Sequence, residues 1–225
     1  GRVISAISLT HDFQTLIAQD WVHSGMQLKL EQIRGMLDPL SPSASVSITS
    51  AAKLTRELFT HTGAGTLVRK GERIEWFDVL PDDRRAAFEA LLQASFDRRL
   101  RDDWLDRRDP LGVFLAESGR AAALILRGHD GVPYLDKIVV TPEARGEGLG
   151  AALWQALRAK CPAMYWRARA NNPIAPWYFQ QADTCDRRAG WVVYTIGIES
   201  PDQRAGLVDD AAARDSGWVE GAGGA

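Results

Sequence analysis

The stretch that decides the fold reads Tyr134-Leu-Asp-Lys-Ile-Val-Val140, then Thr141-Pro-Glu-Ala144, then Arg145-Gly-Glu-Gly-Leu-Gly150. The first seven residues predict a strand, and the last six open a predicted helix. Main-chain N–H groups of Gly146 through Gly150 would point to one place, where the helix dipole adds positive charge and glycine permits close approach. Arg145 adds a charge-assisted contact. These features predict a diphosphate-binding turn. A plain strand-to-helix connection is the alternative, because a glycine-rich loop alone is weak evidence.

Helical and strand periods alternate outward from this stretch. Phe88, Leu91, Leu92 and Phe96, for example, share one face of a helix. The pattern predicts strands at 46–48, 67–68, 74–79, 113–117, 121–127, 134–140, 163–168 and 190–198, and helices at 10–17, 26–37, 54–58, 81–96, 148–160 and 176–181. Such alternation indicates an α/β protein.

Changes in composition predict how the chain is divided. Residues 69–75 are polar, contain Gly71 and precede a new strand pattern, so a boundary is placed after residue 72. A second domain then spans 73–199. Asp, Ala and Gly dominate 200–225 without sustained periodicity, which predicts a flexible tail.

Composition excludes several function classes. The 225 residues contain 27 Lys and Arg against 29 Asp and Glu, a formal net charge of −2, so no basic field attracts nucleic acid. No apolar run reaches the roughly 20 residues of a membrane span. Cys161 and Cys185 lack metal-ligand spacing, so neither a disulfide nor zinc is expected. The chain opens with Gly1 rather than Met, so we expect its natural N-terminus to lie upstream.

Cationic and amide residues form a second cluster. Lys137 interrupts an apolar strand, and Arg167, Arg169 and Asn172 lie at the end of the next-but-one element. Alternation places the two arginines on one strand face, where they could converge on an anion. Taken singly, each residue has a structural alternative. The arginines would be exposed partners of Asp183 and Asp186, Lys137 a lysine at a sheet edge, and Tyr178 a core aromatic with a satisfied hydroxyl.

The turn resembles the acetyl-CoA-binding motif of the GNAT superfamily of N-acetyltransferases. The family signature Arg/Gln-x-x-Gly-x-Gly/Ala is matched by Arg145, Gly148 and Gly150, between a strand and a helix. The resemblance implies a mixed sheet with flanking helices, splayed so that the pantetheine arm of acetyl-CoA pairs with main chain near Ile138 and Val140. It implies cofactor contacts along the turn, at Arg145, Gly146, Gly148, Leu149 and Gly150, and no metal for acetyl transfer.

The cationic cluster extends the resemblance. Tyr134-Leu-Asp-Lys137, Trp166-Arg-x-Arg169 and Asn172-Pro-Ile-x-Pro-Trp-Tyr-Phe179 resemble the acetyltransferase domain of vertebrate-like N-acetylglutamate synthases. The resemblance implies that Lys137, Arg167, Arg169 and Asn172 bind L-glutamate and the acetyl group, and that Tyr178 is the general acid for the coenzyme A thiolate. The general base is not evident from the sequence.

The first segment resembles the C-terminal part of an amino-acid kinase, N-acetylglutamate kinase, through Gly25-Met-Gln-Leu-Lys29-Leu30 and Glu57-Leu-Phe-Thr-His-Thr-Gly-Ala-Gly-Thr66. The resemblance favours a bacterial bifunctional synthase/kinase, implies a phosphate contact at Lys29, and implies a site for L-arginine as feedback inhibitor at Glu57, Thr62 and Gly63. An exposed helix lysine and a helix end with a glycine turn are the alternatives. The kinase half is incomplete here, so we expect no phosphorylation.

Two other functions compete with glutamate acetylation. One is acetylation of another amine, for which an acidic or open acceptor groove would be expected. The other is a non-catalytic, arginine-sensing subunit. The family resemblance also implies a homo-oligomer, located in the cytoplasm of a bacterium or in the mitochondrial matrix of a eukaryote.

Overall fold

The computed structural model describes residues 4, 6–41, 44–59 and 64–219, which divide into two compact units. The first comprises Gly1–Arg73 with Glu143–Ala152, and the second Ile74–Pro142 with Leu153–Ala225. No helix within the described ranges is long and apolar enough to cross a membrane. Cys161 and Cys185 are free thiols, the first buried and the second exposed.

The first unit holds a small sheet and three helices. Its elements are β1 (Ala6–Ser8), α1 (Leu9–Ile17), α2 (Ser24–Leu37), β2 (Ser45–Ile48), α3 (Leu54–Phe59) and β3 (Thr66–Arg69). The central strand β3 pairs with β1 in parallel and with β2 in antiparallel orientation. Leu30, Ile33 and Leu37 fall on one face of α2 and pack in a core with Val68.

The second unit is a seven-stranded mixed sheet with helices on both faces. Its elements are β4 (Ile74–Phe77), α4 (Asp82–Phe96), β5 (Pro110–Ala116), β6 (Ala121–Leu126), β7 (Tyr134–Val140), α5 (Leu149–Lys160) from Leu153 onward, β8 (Met164–Arg169), α6 (Ala175–Gln181), β9 (Thr184–Arg188), β10 (Trp191–Ile196) and α7 (Pro201–Ala213). The strand order is β4-β5-β6-β7-β8-β10-β9, and all neighbours are antiparallel except β7 and β8. The predicted α/β class, a mixed sheet with flanking helices, is confirmed.

The two parallel strands separate soon after they meet. β7 pairs with β8 only at Tyr134 with Tyr165 and at Leu135 with Trp166, although β7 runs on to Val140 and β8 to Arg169. β7 is nevertheless paired with β6 as far as Val140. The sheet is therefore splayed on one side of β7.

The flexible tail expected after residue 199 is wrong for the part that the structure describes. Ser200 caps α7 by accepting a hydrogen bond from the Gln203 N–H, and Pro201 occupies the first turn, where its missing donor costs nothing. Leu207 and Ala211 are completely buried in the main core, and Trp218 forms a β-bridge with Leu100. Because α7 is only weakly amphipathic, periodicity did not reveal it.

Candidate active site

A β-bulge in β7 brings two neighbouring charged side chains together. Leu124 of β6 pairs with Lys137, whereas the next residue, Ile125, pairs with Leu135, so Asp136 is the extra residue. The bulge reverses the alternation along β7, so that Tyr134 and Lys137 contact the same face of the sheet. The ring centres of Tyr134 and Tyr165 lie 5.0 Å apart, and the Lys137 Nζ lies 5.3 Å from the centre of the Trp218 ring.

Lys137 is buried and already partnered. Only 5% of its side chain is exposed, and its ammonium donates to Asp136 Oδ2 at 2.6 Å and to the Ser216 carbonyl at 3.0 Å. Burial lowers the pKa of Lys137 from its usual value, and the Asp136 carboxylate opposes that shift. Since an ammonium has three donors, one N–H remains. The edge-strand alternative is wrong, because β7 is a central strand.

Arg108 completes a buried charge cluster with Asp136 and Lys137. Its guanidinium lies 2.6 Å from Asp136 Oδ1, and the exposed fractions of the two side chains are 7% and 3%. A second nitrogen of Arg108 donates to the Asp215 carbonyl at 2.8 Å. We call Arg108, Asp136 and Lys137 the buried triad; it contains two cations and one carboxylate.

Arg167 lies on the same face and caps a helix. It donates to the carbonyls of Ala211, Ala212 and Arg214, which terminate α7. Its guanidinium also stacks 4.0 Å from the centre of the Trp191 ring. Burial lowers the pKa of Arg167, while Tyr134 and Asp136 oppose this shift. A guanidinium has five N–H donors, and these three hydrogen bonds leave two of them for a ligand.

Arg169 and Asn172 extend from the end of β8. Arg169 is exposed and stacks 3.7 Å from the centre of the same Trp191 ring. Asn172 accepts a hydrogen bond from the Ile174 N–H at 3.0 Å, which forms the turn into α6. Among the described residues, neither arginine is ion-paired with Asp183 or Asp186, so that alternative is wrong.

Tyr178 lies on the opposite face of the sheet, in an aromatic cluster. Its ring centre is 5.7 Å from that of Trp166 and 5.4 Å from that of Tyr194, and Trp166 also contacts Trp154 of α5. Burial, followed by the neighbouring Tyr194, raises the pKa of Tyr178. Tyr178 is thus a core aromatic, as its structural alternative expected, although within the described part of the chain its hydroxyl makes no hydrogen bond.

Strand alternation explains this separation. Trp166 and Arg167 are consecutive on β8, so their side chains leave opposite faces. The structure therefore brings Lys137 and Arg167 together but keeps Tyr178 apart from them. The two groups lie on either side of the sheet in which β7 and β8 diverge.

The glycine turn precedes α5, as predicted. Gly146 and Gly148 have φ values of 79° and 85°, a left-handed conformation that favours glycine. The first N–H groups of α5, which begins at Leu149, have no partner within the helix. Arg145 is exposed beside them, and Leu149 is buried.

The residues predicted for kinase and arginine binding have simple structural roles or lie outside the described residues. Lys29 is exposed on α2. The Glu57 carboxylate accepts hydrogen bonds from the Ala64 N–H, the Gly65 N–H and the Ser47 hydroxyl, and the Ala64 contact contributes most to lowering its pKa. Thr62 and Gly63 lie outside the described residues.

Sequence reasoning missed four parts of the site: Arg108, Asp136, Trp191 and the segment after α7. A carboxylate beside Lys137 in an apolar strand was a usable signal. Arg108 gave none, because it stands in the mixed run Asp106-Arg-Arg-Asp109. The contact of Trp191 with the arginines could be predicted only from the register of β10 against β8, in which Trp191 pairs with Arg169.

Comparison with known proteins assigns the chain to a family. The family model for the N-acetyltransferase (NAT) of N-acetylglutamate synthase matches residues 75–214. The chain belongs to this NAT family. The match includes α7, consistent with the packing of that helix in the core.

The relatives of this NAT chain include proteins named acetylglutamate kinase and N-acetylglutamate synthase. An acetylglutamate kinase of Xanthomonas campestris is 37% identical over 223 residues, which is 95% of this chain and 51% of the relative. A mitochondrial N-acetylglutamate synthase of Danio rerio is 33% identical over 214 residues, 93% of this chain and 41% of the relative. The chain thus spans about half the length, or less, of these relatives. The Neisseria gonorrhoeae N-acetylglutamate synthase complexed with coenzyme A and N-acetyl-glutamate matches with 13% identity and a TM-score of 0.46, over 88% of this chain and 52% of that chain.

Proposed function

We propose that this NAT chain transfers the acetyl group of acetyl-CoA to the α-amino group of L-glutamate, giving N-acetylglutamate. The observation that carries the proposal is an excess of buried or half-buried positive charge on one face of the sheet. Arg108, Lys137 and Arg167 are three cations, and Asp136 is the one carboxylate bonded to them, which leaves two charges uncompensated. L-Glutamate with a neutral amine carries two carboxylates, so the charges match.

The acceptor amine would reach the thioester through the splayed part of the sheet. Main chain of β7 near Ile138 and Val140 lies beyond the two β7–β8 pairs, which leaves that side of the strand for the pantetheine arm. The diphosphate would be bound by the N–H groups of Gly146 through Gly150 and by Arg145. Bound acetyl-CoA supplies the activated acetyl group.

The chain's own groups then divide the work. Lys137 and Arg167 bind the glutamate carboxylates through their remaining donors, with Arg169 and Asn172 at the rim. The amine nitrogen attacks the thioester carbon and releases one proton to water, the C–S bond breaks, and sulfur leaves with the electron pair. Tyr178 supplies the proton to sulfur from the other side of the sheet. Its raised pKa keeps the hydroxyl protonated through neutral pH, as a donor must be.

The N-terminal segment, residues 1–72, has a separate proposed origin. We propose that residues 1–72 are the C-terminal part of an amino-acid kinase domain, because relatives named acetylglutamate kinase align over nearly all of this chain. Lys29 would contact phosphate in the complete parent enzyme. Feedback inhibition by L-arginine at Glu57 would require the carboxylate to exchange its Ala64 and Gly65 partners for the ligand's guanidinium. The parent would be a homo-oligomer.

The experiment is an assay of coenzyme A release from acetyl-CoA with glutamate, aspartate, glutamine or a polyamine as acceptor. We expect turnover to be selective for glutamate and the KM for glutamate to rise at least about tenfold in Lys137→Met, since a bound carboxylate loses a charged partner. Turnover only with another amine would overturn the acceptor assignment.

A matched pair tests the proton donor. Tyr178→Phe and Tyr194→Phe each remove one buried hydroxyl from the same aromatic cluster. We expect kcat to fall about 100-fold in Tyr178→Phe and little in Tyr194→Phe, because general acid catalysis contributes in this range. Equal losses in both variants would indicate that packing, not proton donation, is responsible.

A further inference from the structure

We propose that Asp136 and Arg108 are positioning residues that, together with the main chain of Arg214–Trp218, direct Lys137 towards a carboxylate of the acceptor. This inference rests on the proposed function, because it gives Lys137 its substrate. Arg214–Trp218 is called the strap below.

Lys137 is buried and needs partners that compensate its charge. An ammonium buried in an apolar interior is costly unless a charged partner and hydrogen bonds compensate its lost hydration. Asp136 directly precedes Lys137, and on a regular strand the two side chains would leave opposite faces. The bulge in β7 removes that obstacle and allows the 2.6 Å contact. The bulge thus permits a charged lysine at this depth.

The Asp136 carboxylate is shared between Lys137 and Arg108. A carboxylate paired with Lys137 alone would neutralise it and leave no field for an anionic acceptor. Arg108, at 2.6 Å from the other carboxylate oxygen, takes part of that negative charge. The buried triad therefore retains one positive charge in excess, which an acceptor carboxylate would complete.

The strap fixes the orientation of the Lys137 ammonium. The Ser216 carbonyl accepts one of the remaining N–H groups of Lys137, so the last donor has a defined orientation. The strap is fixed where it supplies this carbonyl. Arg101 donates from its main chain to the Gly217 carbonyl at 3.1 Å and pairs with the Asp215 carboxylate, and the Val219 N–H donates to the Arg99 carbonyl.

The strap packs closely against Arg108 of the buried triad. Gly217 has a φ of 78°, and a Cβ added there would lie 2.7 Å from an Arg108 nitrogen. Arg108 meanwhile donates to the neighbouring Asp215 carbonyl. A side chain at residue 217 would consequently displace the guanidinium that holds Asp136.

The experiment is a double-mutant cycle on the whole chain, with KM for glutamate, KM for acetyl-CoA and kcat measured for each variant. Asp136→Asn and Arg108→Met are made in the wild-type chain and again with Lys137→Met. We expect each to raise the glutamate KM about tenfold in the wild-type background and less than about twofold when Lys137 is absent, because contacting residues are coupled. The KM for acetyl-CoA should stay within about twofold throughout.

The outcomes separate the two proposals. If Lys137→Met leaves the glutamate KM unchanged, the proposed function fails. If Lys137→Met raises that KM but Asp136→Asn and Arg108→Met do not, or do so equally in both backgrounds, the positioning role is overturned and the proposed function stands.

A milder variant covers the case in which a triad substitution unfolds the chain. Gly217→Ala should raise the glutamate KM several-fold, because the left-handed backbone and the Arg108 contact are both disturbed. Gly119→Ala is the control: its φ is 71° and nothing lies within 4 Å of an added Cβ, so it carries the strain without the contact. Equal KM values in the two variants would contradict the inference.

Discussion

At the scale of single residues, burial decides which charges in this chain are useful. Lys137 and Arg167 are withdrawn from solvent, and a carboxylate or carbonyls accept their hydrogen bonds. Lys29 and Arg169 are exposed, so solvent screens them and position alone assigns no function. The cationic residues that the sequence groups together therefore differ in burial once the chain is folded.

Asp215 offers a pH-dependent test of the strap. The Arg101 guanidinium lowers the pKa of the Asp215 carboxyl to about 2, and the Gly217 N–H contributes. Because the pKa in the folded chain is depressed, the stabilisation is fully present above the ordinary pKa of 3.8 and is lost as the pH falls through about 2. We expect the Asp215 carboxyl carbon, followed by NMR, to titrate near that lower value.

The control for this titration is Arg101→Gln. Removal of the guanidinium should return the pKa of Asp215 towards its ordinary range, and the strap should loosen at a higher pH. Titration of Asp215 at the same pH in both chains would show that Arg101 does not hold it.

At the scale of elements, sequence patterns predicted β7 within its observed bounds, and α4 and α5 within one residue. Long apolar runs and helical spacing are strong signals, because burial imposes them. β9 was missed because its sequence, Thr184-Cys-Asp-Arg-Arg188, is that of a polar edge strand. The bulge in β7 was missed because local sequence does not encode the register of β6 against β7.

The site was predicted less completely than the sheet. Lys137 and Arg167 lie on one face of the sheet, whereas Tyr178 lies on the other. Arg108, Ser216 and Asp215 join Lys137 only through tertiary contacts that connect distant parts of the sequence. A pattern read along one strand cannot contain such contacts.

Helix α7 supplies the prediction at this scale. Leu207 is completely buried in the main core, so Leu207→Ala should lower the free energy of unfolding by about 2–5 kcal/mol, through lost apolar burial and the cavity left behind. Urea denaturation followed by tryptophan fluorescence measures it. Val79→Ala, at a residue that is 83% exposed, should change stability by less than about 0.5 kcal/mol. A similar small effect in both variants would mean that α7 does not support the core.

At the scale of the whole molecule, the proposed reaction uses both faces of one sheet. The cations proposed to bind the acceptor and the proposed proton donor Tyr178 lie on opposite sides, and the amine would reach the thioester where β7 and β8 diverge. Both substrates must then be present together, without an acetylated intermediate.

Initial-rate kinetics test this arrangement. We expect intersecting double-reciprocal lines for glutamate and acetyl-CoA, and no protein mass increase by one acetyl group when acetyl-CoA is supplied alone. Cys185→Ser should retain full activity, since this exposed thiol lies outside the proposed chemistry. Parallel lines, or an acetylated protein that transfers its group to glutamate, would contradict direct transfer.

The strap also has a consequence in time. Arg101 and Asp215 are 114 positions apart along the chain, so their contact closes one of the longest loops in the second unit. Contacts this distant in sequence form slowly, because the entropy of the open chain is lost before they stabilise anything. After dilution from denaturant, the sheet should therefore recover its fluorescence first, and acetylation should return only after a lag.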